Sequence, residues 1–190
     1  MARPHLRVIA GEVGGRRLVA PPDVRPTTER VREAIFSALG SHAVDAAVLD
    51  LYAGSGAMAL EALSRGAARA VLVDQDRAAV EACRANLVST GLTDRARIQR
   101  SSVTELLGRP APPEAPFDLV LVDPPYDDAP TEIPAVLDGL ARPGWLHADA
   151  RVVLESPAGA APEPGPGFAV RSRRKYGDTL VITLGPVLGA

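Results

Sequence analysis

A chain of 190 residues with 46% hydrophobic and 23% charged content carries enough apolar mass for one principal domain, and its formal net charge of −2 is ordinary for a globular protein. The single cysteine, Cys83, excludes an internal disulfide, and three scattered histidines, His5, His42 and His147, form no metal cluster, so no metal is assigned. No apolar run reaches membrane-spanning length and residues 1–7 lack the apolar core of a secretory signal, so the expected location is the cytoplasm.

The small net charge hides an asymmetry. Residues 1–32 hold seven arginines against three acids, a net of +4, which leaves −6 for the remainder. A second basic cluster, Arg171, Arg173, Arg174 and Lys175, lies near the other end. Basic patches on an acidic body suit a polyanionic partner, because neutralised phosphates release their counterions.

In chain order, residues 6–10 and 17–20 are short β-type runs around Gly11, Gly14 and Gly15, and predict a small N-terminal hairpin. We treat residues 1–24 as a basic arm and 25–190 as the main domain. Val31, Ala34, Ile35, Ala38 and Leu39 then recur at helical spacing behind Thr27 and Thr28, either of which can cap the helix. Arg30 and Arg32 fall in its first turns, and its exposed face is expected to meet RNA or a ligand carboxylate. Val48, Leu49 and Leu51 read as a strand buried on both faces, Gly54 and Gly56 as a tight turn, and 57–65 as a helix stopped by Gly66.

The pattern repeats. Residues 69–74 form a second buried strand, 77–90 a helix with Cys83 on its apolar side, 96–100 a weaker strand, and Ser101-Ser102 precede a short helix ending at Leu107. After a proline-rich loop at 109–116, a fourth strand (117–123) runs into Pro124-Pro125-Tyr126. A helix carrying Ile133, Val136, Leu137 and Leu140 follows, then a fifth strand at 150–155 and a terminal hairpin of 168–176 and 179–184. Trp145, after a Pro-Gly turn, is expected to pack against the sheet. This βα alternation closed by antiparallel strands is a doubly wound α/β sheet.

In such a sheet ligands bind beyond the carboxyl ends of the strands, where Gly54, Asp74, Ser101 to Val103 and Asp123 to Tyr126 converge. Asp74 lies about 20 residues after the glycines, where a carboxylate can accept both ribose hydroxyls of an adenosine cofactor. Asp50, inside an apolar strand, needs a donor or a cation, such as a ligand amino group or the turn amides. The turn alone also fits the dinucleotide fingerprint. A nicotinamide enzyme, however, leaves Asp123-Pro124-Pro125-Tyr126 without a task, whereas acceptors on Asp123 and Pro124, a stiff proline turn and a stacking Tyr126 suit methyl transfer to a planar amine. A non-catalytic RNA-binding assembly factor would need neither motif.

With D-L-Y-A-G-S-G at 50–56 and D-P-P-Y at 123–126, the chain resembles class I S-adenosylmethionine-dependent methyltransferases of the amino-methylating branch. The arm at 7–19, R-P-T-T-E-R-V-R-E-A-I-F at 25–36, L-E-A-L-S-R-G-A at 60–67 and R-K-Y-G-D-T at 174–179 are similar to the RsmD family of bacterial 16S rRNA guanine-N2 methyltransferases. The resemblance implies a Rossmann-like, mostly parallel seven-stranded sheet in the order 3-2-1-4-5-7-6, and S-adenosylmethionine as cofactor. It also implies a guanine of 16S rRNA, within an assembled small-subunit particle, as substrate. It places Asp50, Tyr52, Ala53, Gly54 and Gly56 at the methionine part, Asp74 at the ribose, and Ser102 with Val103 at the adenine. Asp123, Pro124, Pro125 and Tyr126 hold the target amine, with Asp123 also bordering the donor. Arg3, Arg7, Arg16, Arg17, Arg25, Arg173, Arg174 and Lys175 grip RNA, and a monomer is expected. D-P-P-Y could equally present an adenine or cytosine amine, or a DNA base.

Overall fold

Every residue of β1 (Ala47–Leu51) is buried, and alternate side chains serve opposite faces of one sheet. The computed structural model describes residues 6–21, 27–125, 128–159 and 162–187. Around β1 run α1 (Glu29–Leu39), α2 (Ala57–Ser64), β2 (Arg69–Asp74), α3 (Arg77–Thr90), β3 (Ala96–Arg100), α4 (Val103–Leu107), β4 (Phe117–Val122), α5 (Ala129–Leu140), β5 (Leu146–Pro157), β6 (Phe168–Tyr176) and β7 (Thr179–Pro186). The strand order is β3-β2-β1-β4-β5-β7-β6, as expected. The first five strands are parallel, and β7 pairs antiparallel with both β5 and β6.

Val48, Leu72, Leu119 and Val153 point to the face covered by α1, α2 and α3, whereas Leu49, Val71, Val120 and Val152 point to that covered by α4 and α5. Local signals set the helix ends. Thr28 caps α1 by accepting from Val31 N–H, Asp76 caps α3 through Ala78 N–H, and Gly91 closes α3 in the left-handed conformation. Trp145 is 1% exposed and stacks on Phe117 with centroids 6.4 Å apart, so packing is its role. Cys83 is buried core. The fifth strand starts earlier than its apolar run, at Leu146, because Phe117 pairs with Leu146 across an irregular step in the β4 ladder.

The arm departs from a regular hairpin. It holds one antiparallel bridge, Arg7 to Arg17, flanked by Val8 N–H to Arg16 C=O at 3.0 Å and Leu18 N–H to Leu6 C=O at 2.8 Å. The reason is competition for its amides. Buried Glu61 on α2 accepts from Ile9 N–H at 2.7 Å and Ala10 N–H at 3.2 Å, while Ser64 accepts from Val13 N–H through Oγ and from Glu12 N–H through its carbonyl. Leu6, Val8 and Leu18 sink into the α1–α3 side of the core, and Asn86 on α3 exchanges two hydrogen bonds with Val19. No helix among the described residues is long and apolar enough to cross a membrane.

Candidate active site

The carboxyl ends of β1, β2 and β4, the N-terminal end of α4 and the entrance to α1 border a cavity of about 630 Å³. Asp50, Tyr52, Ala53, Gly54, Asp74, Ser102, Val103, Asp123, Pro124 and Pro125 all line it. Gly56 does not. It takes a left-handed φ of 75° as the residue before α2, and an added Cβ would lie 2.8 Å from Leu72 Cδ2 and 3.2 Å from Cys83 Sγ. It thereby packs the turn closely onto β2 and α3. Tyr126, Arg3 and Arg25 lie outside the described residues.

Asp50, Asp74 and Asp123 at the rim are each held by a backbone amide or a hydroxyl. Asp50 is 3% exposed and accepts from Ala59 N–H in α2 at 3.0 Å, so its donor comes from the helix rather than from the glycine turn itself. Burial, with Asp123 and Asp74 nearby, pushes its carboxyl well above the usual carboxylate range despite that hydrogen bond. Asp74 Oδ2 accepts from Gly54 N–H at 2.8 Å and Oδ1 from Asp76 N–H at 2.9 Å. Each oxygen keeps one lone pair, so the carboxylate can still accept two ligand hydroxyls. Asp123 Oδ2 accepts from Thr27 Oγ1–H at 2.6 Å, and burial raises its carboxyl while that hydrogen bond opposes the rise. Tyr52, at a left-handed φ of 62°, donates its hydroxyl to Glu132 Oε2 at 2.5 Å, and burial pushes the phenol up.

Ser102 accepts from Glu105 N–H at 3.2 Å and so caps α4, leaving its Oγ already engaged toward the helix. Among the described residues no group of three or more His, Cys, Asp or Glu side chains is placed to hold a metal ion. Arg7, Arg16, Arg17, Arg173, Arg174 and Lys175 are all exposed and stand apart from the cavity wall. Two have acidic partners: Arg7 binds Glu29 at 3.1 Å and Arg173 lies 3.8 Å from Glu163. These are surface pairs of the kind that contribute under about 1 kcal/mol and yield readily to a phosphate.

Arg32 corrects the expectation of an exposed helix face. It is 0% exposed, donates from Nη2 to the Arg7 carbonyl at 2.6 Å and borders the cavity. Burial lowers its guanidinium, against the opposing pull of Glu61, Glu29 and Glu155. Three further groups escaped the sequence reading: Thr27, which was weighed only as a cap, Glu132 and Glu155. Glu155 was recognisable in principle, since like Asp123 it is an acid at the end of an apolar strand.

Sulfonium and ammonium groups suit this lining, because Asp50, Asp123 and Glu155 surround the cavity with acceptors and no cation but Arg32 borders it among the described residues. Comparison with known proteins agrees with the geometry. A family model described as conserved hypothetical protein 95 matches residues 6–184. The chain is 40% identical over 154 residues to ribosomal RNA small subunit methyltransferase D of Escherichia coli K12, across 80% of this chain and 75% of that protein. The solved structure of yhhF from Escherichia coli, described as a methyltransferase, superposes with a TM-score of 0.86 at 33% identity, covering 96% of this chain and 98% of that one. That of a hypothetical protein from Thermus thermophilus gives 0.79 at 32% identity, covering 95% and 99%.

Proposed function

Because the chain belongs to the RsmD family, whose model is described as conserved hypothetical protein 95, we propose that it methylates the exocyclic N2 amine of one guanine in 16S rRNA. S-adenosylmethionine is the donor and supplies an electrophilic methyl group on a sulfonium. The observation that carries this reading is the convergence of the glycine turn, Asp74 and Asp123-Pro124-Pro125 on one acid-lined cavity.

Asp74 accepts the ribose hydroxyls, the Gly54 turn and Asp50 border the methionine part, and the first turn of α4 at Ser102 and Val103 flanks the adenine. The N2 amine is a poor nucleophile because its lone pair is delocalised into the base. Asp123 and the Pro124 carbonyl accept its two N–H bonds and aim the lone pair, the prolines stiffen the turn, and Tyr126 stacks on the base. The proton shed after transfer goes to Asp123, the acceptor it already faces. The target base must be flipped or presented from a loop, so the arm through Arg3, Arg7, Arg16 and Arg17, Arg25 just after it, and β6 through Arg173, Arg174 and Lys175, hold the surrounding phosphates. The protein acts as a monomer in the cytoplasm on an assembled small-subunit particle.

The test separates binding from chemistry. Asp123→Ala keeps S-adenosylmethionine affinity within about twofold by calorimetry and loses at least about 100-fold in tritiated-methyl transfer to small-subunit particles. Full transfer activity would refute the assigned role.

A further inference from the structure

Sheet order lays out the cavity from donor to acceptor. Asp74 ends β2, Asp50 lies in β1, Asp123 follows β4 and Glu155 lies in β5, so the four acids stand in the spatial order β2-β1-β4-β5, and all of them border the same cavity. Leu121 and Val153 serve the α1 side of the sheet, and Val122 pairs with Leu154 in parallel register. Two residues beyond Leu121 and Val153, Asp123 and Glu155 therefore share that side at adjoining strand positions. A donor held over β1 and β2, with the target amine at Asp123, directs the rest of the base over β4 and β5 toward Glu155.

Glu155 meets it with an unused acceptor. The side chain is 4% exposed, and Oε1 is buried without a hydrogen-bond partner, a state that few buried polar atoms keep. Burial first, and Asp123 next, push its carboxyl well above the usual carboxylate range against the pull of Arg32, so an N–H group arriving from the cavity stabilises the anion. The amino bases differ at this point. Beside its N2 amine guanine carries N1–H, a donor, whereas the ring nitrogen beside the adenine N6 amine or the cytosine N4 amine presents a lone pair. Asp123-Pro124-Pro125 alone can hold any of the three amines, and the neighbouring atom is what tells them apart.

We infer that Glu155 is the specificity-determining residue for the base: its carboxyl accepts the guanine N1–H while Asp123 accepts from the N2 amine, so that two acceptors on adjoining strands match two adjacent donors found only on guanine. A carboxylate has no proton to offer the lone pair of adenine N1 or cytosine N3, and leaves it facing an anion. The inference rests on the proposed reaction and on the assignment of Asp123 to the amine.

The test replaces the target guanine by 2-aminopurine, which keeps the exocyclic amine and puts a lone pair at N1. The position is mapped by mass spectrometry of the rRNA, and small-subunit particles with either base are built by RNA ligation and reconstitution. For the full-length wild type, kcat/KM for methyl transfer is about 100-fold lower on the 2-aminopurine particle. Glu155→Leu slows transfer to guanine and brings the two particles within about threefold of each other. Glu155→Gln, whose amide can turn its carbonyl to guanine N1–H or its N–H to the lone pair, keeps most transfer to guanine and narrows the ratio to about tenfold. Both variants keep S-adenosylmethionine affinity by calorimetry, which a disrupted fold would not. A wild type that uses both particles equally, or variants that both keep the wild-type ratio, overturn the inference and leave the functional reading standing. No transfer by the wild type to the guanine particle overturns that reading, and the inference with it.

Discussion

Gly11→Ala tests how the arm is fastened. Gly11 has a left-handed φ of 85°, and an added Cβ would lie 1.9 Å from the Ser64 carbonyl oxygen and 2.8 Å from Ser64 Oγ. That carbonyl belongs to the last turn of α2, whose side chains are buried throughout, so the arm must give way instead. Yielding breaks Glu12 N–H to Ser64 C=O at 2.7 Å, Val13 N–H to Ser64 Oγ at 3.0 Å and Ser64 Oγ–H to the Ala10 carbonyl at 2.5 Å. At about 1 kcal/mol for each bond and about 1 kcal/mol for alanine in the left-handed region, local docking weakens by about 4 kcal/mol. Native-state hydrogen exchange reads this directly: the Glu12 and Val13 amides exchange about 1,000-fold faster, while the β1 amides keep their protection. Gly15→Ala is the control. Its φ of 84° carries the same backbone strain, but nothing lies within 4 Å of the new Cβ, so its effect stays near 1 kcal/mol. Equal exchange at Glu12 and Val13 in wild type and Gly11→Ala would refute the clash and the docking inferred from it.

Two other expectations concern charge. Replacing Arg16 and Arg17 together with alanine weakens RNA binding and flattens its salt dependence by about two in log–log slope, with donor affinity unchanged; an unaltered slope in filter-binding titrations would remove these residues from the RNA contact. Asp50 is raised by burial, so folding stability is highest below its unfolded value and declines as pH rises toward the folded one. Asp50→Asn, which keeps an acceptor for Ala59 N–H, therefore gains on the wild type by about 1.4 kcal/mol per pH unit through that window. Parallel urea midpoints for the two proteins from acid to neutral pH would contradict the burial argument.

The alternation of strands and helices was accessible from sequence because β1, β2 and β4 are largely apolar runs and because the intervening helices carry recognisable caps such as Asp76 and Gly91, while the order of the strands in the sheet followed from the family resemblance. The cavity was accessible for the same reason, since strand ends converge. Long-range polar pairing was not. Arg32 sits between Val31 and Ile35 on a helix whose charged residues default to solvent, and the groups that hold it inside, the Arg7 carbonyl and Glu61, are remote in the chain. The arm reads as a hairpin because its alternation is real, yet Glu61 and Ser64 capture the amides that a ladder would need. Thr27 resembles a cap beside Thr28, and only the fold brings it to Asp123.

Nucleoside mass spectrometry of 16S rRNA from cells with and without this protein bears most directly on the proposed reaction. The expected result is loss of N2-methylguanosine from a single site, restored by the wild-type chain and not by Asp123→Ala. An unchanged modification profile, or loss of a methyl group from a different base, would contradict it.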